Sequence, residues 1–87
     1  MTPISRHEAF LIADSTRVEQ DLGISIRHVL LLEELKSRIP CMYNIDLNNC
    51  WIAYVEKNFQ GLCSSTVIVI DRYTGKVRGY GSANDEG

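Results

Sequence analysis

Apolar and polar positions divide the chain into one stretch of helical period followed by stretches of strand period. Ala9, Ile12, Ala13 and Thr16 recur on one helix face, with Phe10 at its edge, while Arg6, Asp14, Arg17 and Asp21 lie mostly elsewhere. Ser5 and Glu8 stand at capping-box spacing: the hydroxyl can accept from the Glu8 amide while the carboxylate returns to the amide of Ser5. Gly23 follows the last polar residues and suits a left-handed helix end. Together these signals predict a helix over about residues 5–22.

Beyond it the pattern shortens. Residues 24–35 open on Ile24 and Ile26, which favour a strand, and continue into a leucine-glutamate run that favours a helix; the β-branched start tips the reading toward strand. A loop is expected from Lys36 to Pro40, because the residue before proline is pushed out of the α region. Cys41, Tyr43, Ile45 and Leu47 then alternate with Met42, Asn44 and Asp46 in the manner of a half-buried strand, which Asn48-Asn49 ends in a turn.

Cys50 to Lys57 reads as a strand whose Trp51, Ala53 and Val55 face one way and Cys50, Ile52 and Tyr54 the other. A loop is expected over residues 58–64. The strand signal is strongest from Ser65 to Arg72, where Val67, Ile68, Val69 and Ile70 are consecutive, the mark of a strand covered on both faces. A turn follows, in which Gly75 can take the left-handed conformation, and Val77 to Gly81 returns.

The predicted fold is therefore α+β: one N-terminal helix packed on an antiparallel meander sheet of three to five strands, in a single domain over residues 1–87. A helix roofs only one face of a sheet. The other face of the 65–72 strand needs cover from the 24–47 segment, a second copy of the chain, or a different protein.

Composition narrows the functional classes. Among 87 residues, 9 Lys+Arg against 11 Asp+Glu give a net charge of −2, so no basic footprint for nucleic acid exists. The length leaves no room for a Rossmann unit or a P-loop NTPase. No run of apolar residues is long enough to span a membrane, and Arg6, Glu8 and Asp14 interrupt any signal-peptide pattern. Cys41, Cys50 and Cys63 form an odd set without a CxxC pair, which fits a cytoplasmic protein with reduced thiols.

Searches for chemistry come up empty. His7-Glu8 lacks the second histidine of HExxH, because Leu11 stands there. Cys63 and His28 offer the one route to a thiol nucleophile, and Cys50 beside Trp51 reads as a small core residue. Glu33-Glu34 are adjacent and so diverge, Asp71 is suited to bracing the turn, and Gly75, Gly79 and Gly81 form no GxGxxG. No catalytic, cofactor or metal residue is assigned, and the chain reads as a non-enzyme.

Three stretches carry a family likeness: Cys50-Trp51-Ile52-Ala53-Tyr54-Val55, Val67-Ile68-Val69-Ile70-Asp71, and Thr74-Gly75-Lys76-Val77. Their order resembles the immunity protein 35 family and related small bacterial proteins, with a helix, a strand opening on Trp, a V-I-D-x-x-T-G-x-V hairpin and a glycine-containing end. The family has Gly where this chain has Cys50, and a longer loop than residues 58–64. The resemblance implies an immunity protein that neutralises a cognate toxin of bacterial competition, nucleases being one such class, by occluding its active site or substrate surface. A partner of that kind is basic where it holds phosphates, so the expected contact residues are Glu33, Glu34, Asp46, Glu56, Asp71, Asp85 and Glu86. The alternative reading is a self-associating, chaperone-like or structural protein, forming a homodimer.

Overall fold

The computed structural model describes residues 2–35, 45–57 and 65–82. One helix, α1 (Arg6–Gln20), packs on a four-stranded antiparallel sheet of β1 (Ser25–Leu31), β2 (Cys50–Glu56), β3 (Thr66–Asp71) and β4 (Val77–Ser82). The strands lie in the order β1-β2-β3-β4, a plain meander. The architecture is that expected, and the segment after Gly23 is resolved in favour of strand. A short 3-10 turn (Leu32–Glu34) follows β1, and a second (Leu47–Asn49) leads into β2.

Ser5 caps α1 by accepting from the Glu8 amide at 3.1 Å. Only half of the capping box forms: the Glu8 carboxylate meets the Ser5 hydroxyl at 3.4 Å, in place of the Ser5 amide. The helix ends on Asp21, not Gly23. Asp21 takes the left-handed conformation (φ 52, ψ 55), and the Leu22 amide returns to the Arg17 carbonyl at 3.0 Å. Asp tolerates this region better than most side chains. Gly23 has a different task. A Cβ there would lie 2.5 Å from both the Glu56 carbonyl oxygen and a Val55 methyl, so the chain can pass this close to β2 only without a side chain. Arg17 fastens the junction, donating to Asp14 at 2.8 Å and to the Gly23 carbonyl at 3.0 Å.

Ala9 and Ala13 are the fully buried residues of α1; their small side chains bring the helix close to the sheet. Beneath it lie Val29, Trp51, Ala53, Val55, Ile68 and Ile70, flanked by Ile4, Ile12, Leu22, Ile26, Leu31 and Val77. The opposite face holds a second core of Cys50, Ile52, Tyr54, Val67 and Val69, over which Leu47 is buried and Leu32, Leu35 and Ile45 pack. The alternation expected along β2 thus holds residue by residue. Val67, Ile68, Val69 and Ile70 are all 0% exposed. Each such side chain contributes roughly 1.5–3 kcal/mol on leaving water, so β3 is the energetic spine of the domain.

Of the three covers expected for the second face of β3, the structure shows the first: Leu32, Leu35, Ile45 and Leu47 of the 24–47 segment, in and beside the two 3-10 turns, lie over it, so no second copy or other protein is needed there. The strand expected across Cys41 to Leu47 is corrected at its end. Ile45 and Asp46 are not strand, and Leu47 begins the 3-10 turn, capped by the Asp46 carboxylate on the Asn48 amide at 3.1 Å. Asn48 and Asn49 make their turn without positive φ. Positions 41–44 and the loops at 36–40 and 58–64 lie outside the described residues. Among those described, no helix is long and apolar enough to cross a membrane.

Candidate functional site

Strand register decides where the expected contact residues fall. Leu31 is level with Trp51 and Ile70, and Cys50 with Asp71, so the end of β1, the start of β2 and the end of β3 share one end of the sheet. Both 3-10 turns join the same end. Glu33, Glu34, Asp46 and Asp71, drawn from three separate segments, are therefore brought together. Glu56, at the far end of β2 beside Ser25, is not among them. Asp85 and Glu86 lie outside the described residues.

Asp71 is built into the β3–β4 turn. One carboxylate oxygen accepts from the amides of Tyr73 (2.8 Å) and Thr74 (2.9 Å), and the other from the Arg78 fork at 2.6 and 3.2 Å. Its carbonyl accepts from Gly75 at 3.1 Å, with Gly75 in the expected left-handed conformation, φ 75. The turn amides and the Arg78 guanidinium together hold this carboxyl well below the ordinary carboxylate range. Arg78 gains in turn and is held above its usual value by Asp71.

Glu34 is similarly committed. It accepts from the Leu31 amide at 2.8 Å and from Arg6 at 2.7 and 2.8 Å, and these bonds, the Leu31 amide first, lower its pKa. Arg6 also lies 5.3 Å over the Trp51 ring, which packs its guanidinium against the core edge. Glu33 is looser: it approaches Arg72 only to 3.9 Å, and its side chain is 74% exposed. Asp46 forms no ion pair among the described residues and accepts from Asn48 through both the amide and the side-chain nitrogen.

Between these groups lies a cavity of about 450 Å³, lined by Ile45, Asp46, Asn49, Cys50, Asp71 and Arg78. The Cys50 thiol donates to the Asp46 carbonyl at 3.4 Å, and burial, reinforced by Asp71, pushes its pKa up. A thiol kept protonated is a poor nucleophile. The other thiol candidate, Cys63, lies outside the described residues. His28 sits across from Tyr54 with ring centroids 4.9 Å apart, and burial followed by the nearby Arg27 lowers its pKa. His7 stacks on Phe10 with ring centroids 6.5 Å apart. Among the described residues, no three His, Cys, Asp or Glu side chains are grouped to hold a metal ion.

The site as a whole is thus an arginine-braced acidic end, with two carboxylates fixed (Glu34, Asp71), one held loosely by Arg72 (Glu33) and one without an ion pair among the described residues (Asp46). Charge reading alone missed the braces Arg6, Arg72 and Arg78. For Arg78 a signal existed: an Asp ending one strand and an Arg just inside the next, across a T-G turn, are placed to meet. Comparison of the chain with protein-family models, with curated proteins and with solved structures finds no match.

Proposed function

We propose that this chain is an immunity protein that binds a cognate bacterial competition toxin and neutralises it by covering its active site or substrate surface. The observation that carries this reading is the convergence of Glu33, Glu34, Asp46 and Asp71 on one end of the sheet. An inhibitor acts through a fixed complementary surface rather than through reactive groups. The arginine braces suit that task, because carboxylates already held in place lose little conformational freedom on binding. Asp46, with no ion pair among the described residues, and Glu33, loosely held by Arg72 and 74% exposed, supply charge toward a basic, phosphate-holding toxin face.

The test is to identify the genes beside this one and measure binding to any toxin domain they encode by calorimetry, together with rescue of growth on co-expression. Wild type is expected to bind and rescue. Glu33→Lys with Asp46→Lys is expected to weaken binding at least tenfold while leaving the fold intact. A wild-type chain that neither binds nor rescues overturns the proposal. Undiminished binding by the double variant moves the interface off this end.

A further inference from the structure

Closing both faces of the sheet leaves its edges. β4 is an outer strand, and α1 packs chiefly on β1, β2 and β3, with only Val77 of β4 against the core beneath it. Tyr80, opposite Ile68 on the helix side, is consequently 44% exposed. On the other side Gly79 and Gly81 carry no side chains. The other edge, β1, has a bulge between Ile26 and His28 and exposes Arg27 there, devices that obstruct pairing with another strand. β4 has its one register shift near its turn, between the pairs at Val69 and Ile70, and keeps an unbroken register from Gly79 to Ser82, with Gly81 at φ 140.

The hydrogen-bond pattern points the same way. The Asp71 amide donates to the Lys76 carbonyl at 2.8 Å, which fixes the alternation of the antiparallel ladder. After the bulge, the Ile68–Tyr80 pair is a non-hydrogen-bonded one, so the Tyr80 N–H and C=O point outward along an edge that no other strand among the described residues pairs.

The strand also matches itself. Arg78 is the one charge between Val77 and Ser82, and Asp71 already neutralises it. Antiparallel pairing about Tyr80 sets Arg78 against Ser82 of a second copy and Gly79 against its Gly81. The two Tyr80 rings then stand side by side as a cross-strand aromatic pair. No like charges oppose each other.

We propose that β4 pairs antiparallel with β4 of a second copy, on a two-fold axis through Tyr80, to give a continuous eight-stranded sheet. The occupant of the edge is another molecule of this chain, bound through backbone hydrogen bonds and the Tyr80 pair.

Sedimentation of the full chain from about 1 µM to 1 mM tests this. Wild type is expected to double in mass over that range. Tyr80→Lys, which puts two like charges on the axis, is expected to raise the dimer dissociation constant at least tenfold while keeping the monomer's circular dichroism. A second measurement uses a background with Cys41 and Cys63 replaced by Ser. There Tyr80→Cys is expected to cross-link between copies on oxidation, since paired Cα atoms about 5.5 Å apart accept a disulfide. Lys76→Cys, off the axis, is expected to remain monomeric. A wild type that stays monomeric throughout overturns the proposal, as does a Tyr80→Lys chain that associates equally well. Equal cross-linking at residues 76 and 80 does the same. None of these readouts involves a toxin, so they stand or fall apart from the proposed function.

Discussion

Trp51 donates its indole N–H to the carbonyl of Ile4, 3.2 Å away and 47 residues earlier in the chain. The same Ile4 gives its amide to the Arg72 carbonyl at 2.7 Å, so the segment before α1 is tied to both central strands. Trp51 is 7% exposed and lies in the core beneath the helix. Trp51→Ala is expected to cost about 3–5 kcal/mol in denaturant unfolding, and Trp51→Phe clearly less, since it keeps the ring packing and loses chiefly the hydrogen bond. Equal losses for the two variants would show that the indole N–H, rather than the packing, dominates.

Gly75 closes the β3–β4 turn at φ 75, and a Cβ there would also come 3.2 Å from the Ile12 side chain. Gly75→Val is expected to destabilise by about 1–2 kcal/mol from the backbone alone, because a β-branched residue resists positive φ. Gly75→Asn should lose less. Thermal unfolding of the two variants side by side separates backbone strain from contact with Ile12.

The Asp71 carboxyl is held well below the ordinary range by the turn amides and Arg78. The sign of its effect follows. A group with a depressed folded pKa adds stability above its unfolded value, about 3.9 for Asp, and that stability is lost as pH falls through the folded value. The difference in unfolding stability between wild type and Asp71→Asn is therefore expected to be constant above about pH 5 and to shrink below pH 4. A difference independent of pH would mean that geometry, not charge, holds the turn.

Cys50 is buried and its thiol pKa is raised. With Cys41 and Cys63 replaced by Ser, the remaining thiol is expected to resist a disulfide-exchange reagent at pH 7 in the native state and to react promptly once unfolded. Fast labelling of the folded chain would place the thiol within reach of solvent through the cavity beside Asp46.

Local signals were legible and distant ones were not. The Ser5 cap, the split of β2 into two faces and the Gly75 turn rest on nearest neighbours, and the chain spells them out. Gly23 is different. Its role comes from a carbonyl 33 positions away on β2, which no helix-end rule contains. The cover of the second face was legible only as one of three candidates, the 24–47 segment, and the way it is made was not. Leu47 reads as one more alternating strand position, but Asp46 caps a turn there that folds it over β2 and β3. The acidic end was half visible: the carboxylates are plain in the sequence, and their meeting depends on register, which sets Cys50 opposite Asp71.

Since sheet neighbours are also chain neighbours, each ladder closes over the single stretch separating two successive strands, and the tight Asp71–Val77 connection is the least costly to form. Assembly can then spread backward from that hairpin toward Ser25. The segment around Ala9 and Ala13 precedes every strand it packs on, and has no floor to settle on until Ile68 and Ile70 have been made. The helix thus depends for its seat on residues that follow Ala9 and Ala13 by more than fifty positions.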